Sequence, residues 1–372
     1  MNASVLMSVY NGERSLREAV ESVQRQNFAD FEFIIIDDGS TDRTWRLLSD
    51  FAARDSRIVL LYNEKNMGLT RSLNKGLGAA VGDYIVRQDA DDVSLPERLS
   101  AQIGFLEKHP DVAAVGSAVR LIDGNGRVGT DAYSPPDHES ICAHLLLTNC
   151  LCHTALVARS SALKQIGGYD SGLPYSQDYD LWSRLSRMGK LHALPAVLVC
   201  RGTGHPEAIG VKRRLEQLGC ALQISLRNMR HHLGGRSFDE TAYARFWWAY
   251  HGYPDRLQRG DTERLESLWD ALAAQFVVRR VWGPKLMELA GRLFYSHPYE
   301  SLQMMRAATG CFEQAMLSAE TVQLLRQVVT APVLQLGRRI KAFGMSNLKS
   351  EIPSAVRQAH RPEPGRGAAR TE

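Results

Sequence analysis

The sequence predicts an α/β protein: a mostly parallel sheet flanked by helices, followed by a region of helices alone. Three observations carry this. Short apolar runs alternate with helix-spaced apolar residues from the N-terminus to about Gly116. The runs are apolar on both faces, which suits strands covered by helices on each side. Beyond about Val211 only the helical spacing recurs.

Val5–Val9 is the first strand, and Leu16, Ala19, Val20 and Val23 follow it at helical spacing. Phe31–Ile36 is the second. Trp45, Leu48 and Phe51 mark the next helix, with Ser40 or Thr41 able to cap its free N–H groups. Ile58–Leu61 is a third strand, and Leu69, Leu73 and Leu77 give another helix. Tyr84–Gln88 is a fourth strand running into DADD, and Val112–Gly116 a fifth. Residues 124–145, with three glycines and Pro135–Pro136, read as loop-rich. Further on, Leu215, Leu218, Leu222 and Leu226 share one helix face, and Leu265, Leu268, Trp269, Leu272 and Phe276 share another. The expected division is a sheet domain over 1–210, a helical region over 211–345 and a disordered basic tail over 346–372.

A length of 372 residues suits two domains of roughly 100–200 residues each. Apolar content of 44% and charged content of 23% are those of a soluble globular protein. The longest apolar stretch, Ala193–Cys200, is far below the ~18 residues of a spanning helix. No basic-then-apolar leader is visible, so no secretory signal is expected. Cysteines 142, 150, 152, 200, 220 and 311 are scattered, as for reduced thiols in a cytoplasm. From Val333 to Glu372 the charge is +5, which leaves −1 for the rest of a chain of net +4. A nucleic-acid-binding core would carry its basic excess on the folded domain, so that class is excluded. The tail reads as solvated, with peripheral attachment to anionic lipid as the alternative.

Ligands of such sheets bind outside the carboxyl ends of the strands. Two acidic clusters fall there: Asp37–Asp38 in IIIDDGSTDRT, and Asp89, Asp91 and Asp92 in DADD. The first strand-to-helix turn, SVYNGERS, has one glycine and no Gly-x-Gly-x-x-Gly, and no P-loop occurs in the chain. The phosphates of a nucleotide ligand therefore need another positive charge. A divalent metal on DADD would supply it, because hard cations take carboxylate and phosphate oxygens together. The competing reading is a solvated acidic turn capping the helix near Pro96. Cys150, Cys152 and His153 do not make a zinc site, since four ligands at structural spacing are absent. Trp247–Trp248 reads as core of the helical region rather than a sugar-stacking platform.

Three segments, SVLMSVYNGERSLREAVESVQRQNFADFEFIIIDDGSTDRT, GDYIVRQDADDVSLPERL and IGGYDSGLPYSQDYDLWSRL, together closely resemble the family 2 glycosyltransferases of the GT-A fold. The resemblance covers roughly residues 3–205. It implies an inverting enzyme of hexosyltransferase type that needs Mg²⁺ or Mn²⁺. Such an enzyme moves a sugar from a nucleotide-diphospho-sugar, a UDP-sugar in the favoured case, to the hydroxyl of a glycan or glycolipid. Ser8 and Tyr10 would line the nucleotide pocket. Asp38, with Asp37 beside it, would accept from the base, and Arg71 would lie near the base or diphosphate. Asp91 and Asp92 would share the ribose and metal contacts, with Asp89 opening the motif. The acceptor hydroxyl must lose its proton, which requires a carboxylate that faces the sugar opposite the leaving group. The resemblance gives that role to Asp178, with Asp180 the lesser candidate. Gln177 departs from the family's Glu-Asp pair, which bears on the acceptor contacts. His205 is either a further metal or diphosphate ligand or a loop histidine. Two alternatives stand beside this reading: a nucleotidyltransferase on a related sheet, and a non-catalytic sugar-nucleotide-binding subunit.

Overall fold

The computed structural model describes residues 2–123, 127–203, 213–273 and 276–293, with 296, 297, 300, 301, 303 and 304. Among them nine strands form one sheet: β1 (Ala3–Val9), β2 (Phe31–Asp37), β3 (Ile58–Tyr62), β4 (Tyr84–Asp89), β5 (Val93–Ser94), β6 (Val112–Asp123), β7 (Val128–Ala132), β8 (Val157–Arg159) and β9 (Lys190–Thr203). Helices α1 (Leu16–Gln24), α2 (Thr44–Ala52), α3 (Leu69–Ala79), α4 (Arg98–Lys108), α5 (His138–Leu145), α6 (Ser160–Gln165) and α7 (Gln177–Leu185) accompany it. Then come α8 (Arg214–His232), α9 (Glu240–Tyr250), α10 (Asp261–Arg264), α11 (Glu266–Ala273) and α12 (Phe276–Leu293).

The strand order is β3-β2-β1-β4-β8-β6-β9-β5, with β7 paired to β6. The first four strands are parallel, as the alternation predicts. Beyond β4 the sheet is mixed, because β8 lies antiparallel to both β4 and β6. The apolar runs are two-sided as expected. Val5, Met7, Phe33 and Ile35 share a core with α1, α2 and α4, while Leu6, Ile34 and Ile36 share one with α3 and α7.

The junction at β8 is narrow: three residue pairs join it to β4 and two to β6. Two buried side chains of α4 stitch it. Arg98 donates to the Arg87 carbonyl at 2.7 Å and the Thr154 carbonyl at 2.5 Å. Gln102 donates to the carbonyls of Val115 at 3.1 Å and Ala155 at 2.8 Å.

Helices α8, α9, α11 and α12 build a second core that takes in Ala143, Leu146 and Leu147. Trp247 is fully buried in it, in keeping with the core reading of the tryptophan pair. The end of α5 leaves carbonyls with no helical partner, and side chains of the later helices fill them. Trp282 donates to Ala143, Asn228 to Leu145, Ser225 to Leu146 and Trp247 to Leu147, all at 2.6–2.8 Å.

Two local expectations are corrected. Residues 124–145 are not mainly loop: β7 pairs with β6, and α5 starts where the Asp137 carboxylate accepts the Ser140 N–H. Pro135 and Pro136 precede that cap rather than prolonging a loop. The start of α2 is served by neither Ser40 nor Thr41; Asp42 accepts the Thr44 N–H at 2.9 Å, and Glu13 the Arg43 N–H at 3.1 Å. His205, the boundary near residue 210 and the tail lie outside the described residues.

Candidate active site

The registers Val9–Asp37, Asp37–Tyr62 and Ser8–Asp89 set the carboxyl ends of β1 to β4 level with one another. Ser8 is buried there, and Tyr10 just beyond it is exposed. Asp37 is fully buried; its Oδ1 accepts the Ser40 N–H at 2.9 Å, while Oδ2 has no hydrogen-bond partner among the described residues. Asp38 accepts three hydrogen bonds: Asn63 Nδ2 and the Met67 N–H at 2.8 Å on Oδ1, and the Gly68 N–H at 2.9 Å on Oδ2. A carboxylate has about four acceptor positions, so one is left for a ligand N–H. Gly39, at φ +73°, lets this turn meet its neighbour, since a Cβ would fall 2.5 Å from the Lys65 carbonyl carbon. Ser40, Thr41 and Thr44 bind the facing loop through Asn11 and Gly12. Arg71 is exposed on the first turn of α3.

β4 delivers the second cluster. Gln88, fully buried, donates to the carbonyls of Asp89 at 3.0 Å and Asp92 at 2.8 Å and so shapes the turn. Arg87 is buried, projects to the same side as Asp89 and is ion-paired with it. Burial opposes the Asp89 charge, but the guanidiniums of Arg87 and Arg201 outweigh it and hold the carboxyl below its ordinary value. Asp91 is raised by desolvation and then by the charge of Asp89. Asp92 accepts the Gly202 N–H at 3.0 Å and is pushed up to about 8, first by burial and then by Asp89 and Asp91.

Among the described residues no group of three or more His, Cys, Asp or Glu is arranged as a metal cage. The donor set instead fits a hard divalent cation held by one or two carboxylates and completed by phosphate oxygens. The raised, mutually repelling Asp91 and Asp92 are the groups such a cation would relieve. Burial pushes the thiol of Cys150 up to about 12 and that of Cys152 to about 11, so both stay protonated where no metal is bound.

Opposite stands α7. Ser176, just before it, has a left-handed φ of +58° and donates through Oγ to the Gln217 carbonyl of α8 at 3.0 Å. In the first turn, Asp178 accepts the Tyr179 N–H at 2.9 Å on Oδ1 and Asn149 Nδ2 at 2.8 Å on Oδ2. Burial raises its carboxyl, those two donors oppose the rise, and the charge of Asp89 adds repulsion. The two acidic centres are therefore near enough to repel one another electrostatically. Asp180 is fully buried and ion-paired to Arg184 at 2.6 Å and to Arg227 of α8. His153 joins the Tyr169 hydroxyl at 2.9 Å, and burial lowers its imidazole to about 3, so it stays neutral.

The structure thus gathers Ser8, Asp37, Asp38, Asp89, Asp91 and Asp92 at the carboxyl ends of β1 to β4, with Asp178 on α7 close enough to Asp89 to feel its charge. Sequence reasoning missed Arg87, Asn149 and Arg201. Arg201, on β9, interacts with Asp92, Asp89 and Asp178, and together with Cys152 these outweigh burial and raise its pKa. The alternation of β4 could have found Arg87, two residues before Asp89 on the same face. Nothing in the local sequence signals Asn149, which lies 29 residues from Asp178.

The sequence model of Glycosyl transferase family 2 matches residues 4–167. The chain is 40% identical over 189 residues to the putative glycosyltransferase EpsE of Bacillus subtilis, covering 50% of this chain and 67% of that one. It is 33% identical over 199 residues to the amylovoran biosynthesis glycosyltransferase AmsE of Erwinia amylovora, covering 53% and 74%. Among solved structures it resembles S. aureus TarS (residues 1–349) in complex with UDP-GlcNAc, with a TM-score of 0.54 at 18% identity over 83% of this chain and 91% of that one. It also resembles the mannosyltransferase PcManGT of Pyrobaculum calidifontis in complex with GDP-Man and Mn²⁺, with a TM-score of 0.50 at 18% identity over 83% and 85%. At such identities the structures bear on the fold alone, which is the GT-A fold. The chain belongs to glycosyl transferase family 2 and is a glycosyltransferase.

Proposed function

We propose that the protein transfers a sugar from a nucleotide-diphospho-sugar, a UDP-sugar in the favoured case, to an acceptor hydroxyl with inversion. Asp178 is the base. It takes the acceptor proton while the nucleotide diphosphate leaves from the side of Asp89, Asp91 and Asp92. Asp91 and Asp92 would hold Mg²⁺ or Mn²⁺ jointly with the diphosphate, and the metal would supply charge neutralisation for the leaving group. Arg201 would add a fixed positive charge that acts on Asp92, Asp89 and Asp178. Asp38 offers its remaining acceptor position to a base N–H, with Ser8, Tyr10, Asp37 and Arg71 around the nucleotide.

One observation carries this reading: of the two carboxylates on α7, Asp180 is consumed by two arginines and Asp178 is not. The name of AmsE, an amylovoran biosynthesis glycosyltransferase, supports polysaccharide synthesis as the setting of the transfer. The deciding experiment incubates the protein with UDP-, GDP- and dTDP-sugars and Mn²⁺ and assays nucleotide release. Turnover of a UDP-sugar that is lost in Asp178→Asn is expected. Full turnover in that variant overturns the assignment.

A further inference from the structure

We propose that Asn149 is the positioning residue of the catalytic base, its side-chain amide fixing the direction in which the Asp178 carboxylate points. The inference rests on Asp178 being the base. Among the described residues Asn149 is the side chain that hydrogen-bonds this carboxylate, at 2.8 Å to Oδ2. The other donor is the backbone N–H of Tyr179, on Oδ1. The amide is locked in that sense, because Asn149 Oδ1 accepts the Leu151 N–H at 3.2 Å. A flipped amide would set oxygen against oxygen and leave that N–H unmade.

The segment that carries Asn149 is itself held. Four side chains of the C-terminal helices, those of Trp282, Asn228, Ser225 and Trp247, bind the carbonyls of residues 143 and 145–147 just before it. Across the carboxylate, Ser176 is tied to α8 through the Gln217 carbonyl. The helical region thus grips both flanks of the base.

A neutral donor on a carboxylate favours its charged form, so Asn149 also bears on the pH at which the base works. The charged and titratable groups around Asp178 are Asp89 at the end of β4, Arg201 on β9 and Tyr169. Asp89 works against the charge of Asp178, and Arg201 supports it from β9.

The test is the pH profile of kcat for nucleotide release from the sugar nucleotide that the wild type turns over. Asn149→Ala should move the acidic limb up by about one pH unit, a loss of about tenfold below the limb. Donor KM and UDP affinity should stay at wild-type values. Asn149→Asp keeps the shape and the acceptor for Leu151, and should move the limb further, since two carboxylates then share one site. If Asn149→Ala does not fold, Asn149→Asp decides. A role in stability alone would lower the melting temperature and leave the limb in place, and that result overturns the inference. Asp178→Asn separates the two levels. Wild-type turnover in it removes the base itself, whereas a dead Asp178→Asn beside unmoved limbs in both Asn149 variants removes only the role of Asn149.

Discussion

Asp178 and Asp180 share the first turn of α7 and meet opposite surroundings. Asp178→Asn should therefore cut transfer by about 10²–10⁴-fold, the range for loss of a general base, with UDP affinity kept. Asp180→Asn should act on stability, at about 3 kcal/mol, because it leaves Arg184 and Arg227 without their buried partner. Thermal denaturation and rate measurements on both variants distinguish the two patterns. Asp38 calls for a different expectation. Its preference for a uracil N3–H would reject cytosine, whose N3 is an acceptor, so Asp38→Asn should relax the choice between UDP and CDP in competition binding. The same change weakens the grip on the Met67 and Gly68 N–H groups, so the melting temperature should fall as well. These residues mark how far the sequence could be read. Carboxylates at strand ends were legible, because a polar cluster after a two-sided apolar strand has few other reasons to exist. Their division of labour was not. Asp38 spends three acceptor positions on its own chain, Asp42 takes the helix cap, and Asn149 reaches Asp178 only through tertiary structure.

At the scale of elements, the parallel half of the sheet was legible from periodicity and the other half was not. β8 is three residues long, too short for any alternation to register, yet it reverses the strand direction in the middle of the sheet. β7 and α5 were hidden behind glycines and prolines that elsewhere signal loops. Because the junction relies on α4, Gln102→Leu should leave the carbonyls of Val115 and Ala155 unpaired, at a cost of about 1–3 kcal/mol for each buried group. Urea denaturation would measure it; an unchanged midpoint would remove the stitching role. The helical region admits a milder test. Trp247→Phe keeps a ring in the second core and deletes the donor to Leu147, so stability should drop by about 1 kcal/mol while UDP binding persists.

For the molecule as a whole, the acidic edge links metal, proton and stability. Asp92 sits at about 8 when no cation is present, far above its ordinary 3.8. Between those values the folded chain holds a proton that the unfolded chain has released, so metal-free stability should decline as pH rises through that window. A divalent cation competes with that proton, and Mn²⁺ affinity should climb toward pH 8. Calorimetry at pH 7 in buffers of different ionisation heat should register proton release on Mn²⁺ binding, and Asp92→Asn should remove it. The narrow junction at β8 also divides the order in which the chain supplies the site. Residues 3–89 supply β1 to β4 through local crossovers, a half-sheet that can assemble while the rest of the chain is still being synthesised. Asp89 ends that half, whereas Asp178, Arg201 and Gly202 arrive with the segments that follow β8. An early intermediate would carry Asp37, Asp38 and the Arg87–Asp89 pair but neither Asp178 nor Arg201, and would be chemically silent. Competence would then appear in one step when the seam closes, and in hydrogen exchange the amides of β8 should open together with the loss of turnover, ahead of those of β1 and β2.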